Sequence, residues 1–310
     1  MGHGKLKKFA ENETFRCLLQ PDAASVLAKP EGSKELILRD HAIKGRWNVE
    51  MFAKAQPIVV ELGCGKGDYT IALARRHPEM NFIGVDIKGA RLWKGAKEAT
   101  EQAMGNVAFL RTRIEFIDAF FGSDEVSEIW LTFSDPQLRG SENARLTSPL
   151  FLQRYSRFLK PGGIVHLKTD SRFLYEYTLS VIRANNLEVL ASGVNIYSDG
   201  VQVGLAGNKV IPPGSASVMA GPTGHLEIPG QAGNDDGVVL RDIDAVFEVQ
   251  TFYESMFLKM GLPITYLAFR LDRPDCSAGA PFAYPTDFDA AYWREAEGPR
   301  RSFSHQPTKG

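Results

Sequence analysis

Val60–Thr70 reads VELGCGKGDYT: the end of an apolar run, then three glycines at alternating positions, with a carboxylate before them and another after. Glycine at that density costs backbone entropy and has no side chain to pack. A chain that places it straight after a buried strand needs its backbone to turn tightly there, or to approach something closely. The spacing of Gly63, Gly65 and Gly67 is G-x-G-x-G. It is not the G-x-G-x-x-G of dinucleotide enzymes, and no phosphate-cradling lysine motif follows. The stretch predicts a strand–turn–helix unit with a ligand at its turn.

Outward from this unit, β-branched runs alternate with amphipathic ones. Strands are expected at Ile58–Leu62, Asn81–Asp86, Val107–Arg111, Glu128–Phe133, Gly163–Asp170, Leu187–Val194 and Ile264–Phe269. Helices are expected at Asp68–Arg76, Lys88–Met104, Pro149–Leu159, Phe173–Asn185 and Phe252–Met260. Ser148 and Pro149 mark a helix start, and KPGG (Lys160–Gly163) a helix stop. Strands separated by helices imply an α/β fold, a mostly parallel seven-stranded sheet with helices on both faces. Ligands in such sheets bind outside the carboxyl ends of the strands, where the strand order reverses.

The remaining chain sets bounds. A length of 310 residues with 44% hydrophobic content is enough for a full core. No apolar run approaches the ~20 residues of a membrane span, and the basic N-terminus has no apolar stretch behind it, so no secretory signal is expected. Cys17, Cys64 and Cys276 are odd in number and dispersed. That pattern fits a reducing cytoplasm and argues against disulfides or a zinc site; no metal is expected. Cys64 reads as a small side chain in a crowded turn, with no nearby histidine to activate it. Residues 1–45 read as a basic, irregular extension, 46–271 as the main domain and 272–310 as a tail rich in Pro, Asp and aromatics. Residues 200–240 break the rhythm: Gly200–Gly237 is dense in Gly and Pro and reads as a looped-out insertion.

Two carboxylates turn the glycine loop into a specific expectation. Asp86 ends the second strand, where it can accept hydrogen bonds from both hydroxyls of a ribose. Glu61 lies beside the loop, where it can face the amino group of an amino-acid moiety. A nucleoside that carries an amino acid is S-adenosylmethionine. Further along, Asp135 and Pro136 follow the fourth strand, and an aspartate there can accept hydrogen bonds from the edge of a guanine. Arg139, Arg145, Arg154 and Arg157 follow it, and Lys168, Thr169 and Asp170 end the fifth strand. Together they read as a substrate rim with basic flanks.

With these motifs in order, the sequence resembles the bacterial tRNA (guanine-N7-)-methyltransferases. The likeness runs through VELGCGKGDYTIALARRHPEMNFIGVDIK, FSDP, RLTSPLFLQRYSRFLKPGG, LKTD and TFYE. It implies a class I Rossmann-like methyltransferase that uses S-adenosylmethionine and methylates N7 of a guanine at position 46 of the tRNA variable loop. On that basis Asp135 is the catalytic candidate, and the cofactor side comprises Glu61, Gly63, Gly65, Gly67, Asp86, Arg113 and Asp135. The substrate side comprises Arg139, Arg145, Asp170, Thr251, Phe252, Tyr253 and Glu254. The chain departs from the family in having Ser134, Gln137 and Leu138 around its aspartate–proline pair, and Arg113 where an acidic residue is usual.

Guanine N7 carries a free lone pair and a sulfonium carries its own leaving group, so alignment does most of the work and no general base is required. Two other functions fit the residues: a class I methyltransferase acting on a small metabolite or a protein, and a non-catalytic module that binds tRNA or cofactor. The partner expected is tRNA and not a membrane; the pattern leaves monomer and homodimer both open.

Overall fold

The structure, a computed structural model, describes residues 3–32, 34–204, 209–211, 242–273 and 279–298. Its strands are β1 (Leu18–Leu19), β2 (Leu27–Ala28), β3 (Ile37–Leu38), β4 (Ile58–Leu62), β5 (Asn81–Asp86), β6 (Val107–Arg111), β7 (Val126–Thr132), β8 (Leu159–Thr169), β9 (Val189–Gly193), β10 (Val201–Val203), β11 (Lys209–Ile211) and β12 (Thr265–Arg270). Its α-helices are α1 (His3–Asn12), α2 (Trp47–Glu50), α3 (Asp68–Arg76), α4 (Gly89–Glu101), α5 (Pro149–Tyr155), α6 (Arg172–Ala184), α7 (Ile196–Asp199), α8 (Ile243–Glu248), α9 (Phe252–Lys259) and α10 (Ala290–Glu297).

One sheet organises the molecule, in the order β1-β6-β5-β4-β7-β8-β12-β9-β10-β11. The pairings from β1 through β8 are parallel, and β12 runs antiparallel to both β8 and β9. The seven expected strands form its centre as a doubly wound sheet. The order reverses beside β4, so the carboxyl ends of β4, β5, β7 and β8 open into a single crevice. Every residue of β4 and β5 is buried, as their mostly apolar runs require in a sheet covered on both faces. One core, around Trp47, Phe121 and Phe158, lies on one face; the other, around Tyr69, Phe109 and Trp130, lies on the opposite face.

Three features differ from the sequence expectation. The sheet has ten strands, because β1 joins β6 at one edge and β10 and β11 extend the other. Residues 1–45 therefore contribute α1 and an edge strand; α1 is fastened to α4 by the Asn12 amide, which donates to the Gly89 carbonyl at 2.9 Å. The start of the Gly/Pro-rich segment is not looped out. Val201 and Val203 are buried while Gln202 between them is exposed, the period-two alternation of a half-buried strand. Most of the expected insertion, residues 205–208 and 212–241, lies outside the described residues. Finally, α5 stops at Tyr155, and KPGG opens β8, where the pairing register with β7 shifts. The start of α5 is as expected, with the Ser148 hydroxyl accepting from the Phe151 N–H at 3.4 Å.

Residues 279–298 lie along α6. The Asn185 amide donates to the Ala283 carbonyl at 2.9 Å, and Phe288 meets Phe173 and Tyr177 edge-on. No helix among the described residues is long and apolar enough to cross a membrane.

Candidate active site

The glycine loop turns as its composition requires. Gly63, Gly65 and Gly67 all have positive φ, at 83°, 59° and 77°. At Gly67 a side chain is excluded twice over, since a Cβ would also stand 2.6 Å from the Phe109 ring. At Gly63 and Gly65 a Cβ would meet nothing within 4 Å, because this side of the loop faces the crevice. The Gly63 and Cys64 N–H groups donate to the Val85 carbonyl at 2.8 and 3.0 Å, which clamps the loop against the end of β5. Cys64 is buried, and burial pushes its thiol well up, with Glu61 and Asp86 adding to the shift.

Asp86 is oriented by the backbone: its carboxylate accepts from the Gly65 N–H at 3.1 Å and the Lys88 N–H at 2.7 Å. Each oxygen keeps acceptor capacity toward the cavity that Asp86 lines. That cavity, about 670 Å³, is walled by Gly63, Ile87, Thr112, Arg113, Ile114 and Glu115 on the glycine-loop side. Arg113 carries an acidic partner with it, pairing with Glu115 at 3.3 Å, so this wall is not purely basic. Glu115 was not singled out from the sequence; its signal is its place two residues after Arg113, just past β6.

Glu61 does not line the crevice. It is buried, and its carboxylate is filled from inside by the Thr70 N–H at 2.9 Å and by the hydroxyls of Thr70 and Thr132, both at 2.5 Å. Burial raises its proton affinity and the two threonine hydroxyls pull it back. In the structure it braces β4 to α3 and β7 underneath the loop, and the direct contact with an amino group expected from sequence is not supported.

A second cavity of about 920 Å³ adjoins the first, the two sharing Gly63, Ile114, Gln137, Ala144 and Leu146. Asp135 and Asp170, which follow β7 and β8, stand in its wall with Phe133 and Tyr253. Asp135 is exposed and is held in its turn by the Gln137 N–H at 2.9 Å. Phe133 and Gln137 both take positive φ, 51° in each case, and these bracket the turn that aims Asp135. Arg139 is exposed beyond this turn and is not part of the cavity wall.

Several other expected substrate residues turn out to be internal. Arg145 is 5% exposed; its guanidinium donates to the Pro136 carbonyl at 3.3 Å and lies over the rings of Phe173 and Tyr177 at 4.8 and 4.5 Å. It supports the Asp135 turn from behind and cannot meet a substrate phosphate. Thr251 and Glu254 form a reciprocal capping box at the start of α9. Glu254 is also fully buried against Lys168 at 2.7 Å, and Tyr197 donates to it at 2.8 Å. Lys168 and Thr169, read from the sequence as part of the substrate rim, are both fully buried. Burial pulls the Lys168 ammonium down to about 8, although Glu254 opposes the shift. Of TFYE, Tyr253 reaches the cavity and Phe252 is exposed beside it. Arg157 faces Asp118 at 2.5 Å, whereas Arg154 lines the first cavity.

The tail contributes a wall that the sequence did not disclose. Ala296 and Glu297 line the second cavity, and the Glu297 carboxylate accepts from the Phe173 N–H at the first turn of α6, at 2.9 Å. Among the described residues no group of three or more His, Cys, Asp or Glu is placed to hold a metal ion.

A family model described as a putative methyltransferase matches residues 55–202, which spans β4 to β10. A tRNA (guanine-N(7)-)-methyltransferase of Christiangramia forsetii is 41% identical over 268 residues, covering 86% of this chain and 97% of its own. One from Bacteroides thetaiotaomicron is 40% identical over 271 residues, covering 87% of each. Among solved structures, a 16S rRNA methyltransferase aligns over 76% of this chain and 95% of its own at 16% identity, with a TM-score of 0.41, a distant likeness only. Identity at this level over nearly the whole of a relative leaves one assignment: the chain belongs to the tRNA (guanine-N(7)-)-methyltransferase family.

Proposed function

We propose that the protein transfers a methyl group from S-adenosylmethionine to N7 of a guanine in tRNA, at position 46 of the variable loop. The observation that carries this reading is Asp135. It is an exposed carboxylate on a turn held by its own backbone, in a crevice whose adjoining lobe holds the glycine loop and Asp86.

The chain's residues fit the cofactor. The positive-φ glycine loop leaves its crevice side clear of side chains, and Asp86, fixed by two N–H donors, presents acceptors for a ribose diol. Ile87 and Ile114 supply apolar walls for a purine in the same lobe. The bound cofactor supplies an electrophilic methyl with a neutral thioether as its leaving group.

The protein's own part is positioning. Asp135 can accept from the N–H groups on the Watson–Crick edge of guanine, and Asp170 borders the same lobe. Tyr253 offers a ring at the cavity wall against which a base can stack. N7 enters the reaction with a free lone pair, so no group has to remove a proton from it. Methylation leaves positive charge on the base, and the fixed carboxylate of Asp135 stabilises that charge as it develops. Incubation with labelled S-adenosylmethionine and unmodified tRNA, followed by nucleoside analysis, tests the reading. Label in 7-methylguanosine is expected; label in another nucleoside, or none in tRNA, contradicts it.

A further inference from the structure

The cations near the crevice fall into two groups. Lys94 pairs with Asp68 at 2.5 Å, Arg113 with Glu115 at 3.3 Å and Arg172 with Glu176 at 2.5 Å. Lys88 and Arg91 stand in the wall of the larger lobe, and among the described residues neither has a carboxylate partner. Lys88 is the N-cap residue of α4 and Arg91 lies in its first turn, and the two line the same lobe. Further cations stand on α1, which packs against α4. The Lys8 ammonium sits 4.4 Å from the Trp93 ring centroid, and Lys5 is exposed a turn earlier. Neither Lys5 nor Lys8 is in an ion pair among the described residues.

The crevice wall thus holds both carboxylates and cations without a carboxylate partner among the described residues, in a chain whose formal net charge is −1. The carboxylates Asp86 and Asp135 suit a ribose diol and a base edge. They do not suit phosphate. A nucleotide whose base reaches Asp135 keeps its phosphates at the mouth of the crevice, because the sugar–phosphate chain must enter and leave there. Lys88, which is exposed, and Arg91, which is half-buried, stand in the wall of the same lobe. Cations without carboxylate partners are available to neutralise phosphates and release their counterions.

We propose that Lys88 and Arg91, with Lys8 and Lys5 of the neighbouring helix, form a track for the sugar–phosphate backbone of the tRNA. The track rests on the methyltransferase reading above, and the experiment separates the two. Wild type and the double variant Lys88→Ala/Arg91→Ala are compared for tRNA affinity at several salt concentrations, for cofactor affinity by calorimetry, and for methylation kinetics. The variant is expected to bind tRNA roughly tenfold more weakly at moderate salt. Its log–log salt slope should flatten by about two units, one for each phosphate contact. The kinetic loss should fall on KM and spare cofactor affinity. Lys5→Ala/Lys8→Ala should flatten the slope in the same direction. If the first variant keeps the wild-type slope and affinity while the wild type methylates tRNA, the track is wrong and the function stands. If it loses cofactor affinity in parallel with tRNA, both residues belong to the cofactor lobe and the track is also wrong. A wild type that binds tRNA without salt dependence and yields no 7-methylguanosine removes the function, and the track with it.

Discussion

The two sides of the crevice are held in shape by different means. On the β4–β5 side, backbone hydrogen bonds do the holding: the glycine loop is clamped to Val85, and two N–H groups aim Asp86. On the β8–α9 side, buried side-chain charge does it. The Lys168–Glu254 pair, with Tyr197 and the Val249 carbonyl, fastens α9 to the end of β8 and so fixes Tyr253 beside Asp170. A backbone-held wall is stiff whatever the surrounding side chains are. A wall held by an interior ion pair depends on each partner staying charged and in place, because either one left alone is a buried charge.

Breaking that pair should have the largest effect on stability. Lys168→Met or Glu254→Gln, each leaving the other partner buried, is expected to cost about 3–5 kcal/mol in urea unfolding. Replacing both together with apolar residues of similar volume should recover much of the loss, and failure to recover would mean that the charges do more than fasten the wall.

Asp135→Ala comes next. Removal of a fixed group aimed at developing charge is expected to lower methyl transfer roughly 100-fold. Most tRNA affinity should remain, because backbone contacts carry it. Equal losses in affinity and rate would place Asp135 among the binding contacts only. On the other wall, Asp86→Ala should weaken cofactor binding by about 1.5–3 kcal/mol, the range for hydrogen bonds to a charged group. Calorimetry on the folded variant decides this, and an unchanged affinity would remove Asp86 from the site.

The smallest effect expected lies away from the crevice. The Asp242 carboxylate, 2.9 Å from the His77 ring, raises the histidine above its ordinary value of 6.5, with Glu79 adding to the pull. A raised folded-state value means that this stabilisation is complete below pH 6.5 and fades as pH rises through the folded value. His77→Gln should therefore flatten the pH dependence of the unfolding free energy between pH 6 and 8 by about a few tenths of a kcal/mol, in line with partly exposed pairs. A wild-type curve already flat there would contradict it.

The same contrast explains what could be read in the sequence. The limits of β4, α3, β5 and β6 follow from local signals: β-branched runs, a glycine stop, and an acid at the strand end. Asp86 and Asp135 could be singled out because one ends a strand and the other stands on the turn just past one. Arg145, Lys168 and Glu254 could not be placed correctly, because their burial depends on neighbours distant in the chain. Lys168 needs α7, α9 and β8 brought together before its partner exists. Glu61 misled for the same reason, since nothing local shows the threonine of β7 that occupies it. Lys88 and Arg91 carried a readable signal, two cations three residues apart opening a helix after an acidic strand end. The V-Q-V alternation of β10 was also readable, but the glycines around it obscured it.

The central claim is that this crevice presents the N7 atom of a tRNA guanine for methyl transfer. Two tRNA transcripts test it, identical except that one has 7-deazaguanine, which lacks that nitrogen, at position 46. The account predicts that the unmodified transcript is methylated and that the deaza transcript binds with similar affinity but accepts no methyl. Equal methyl transfer to both would contradict it.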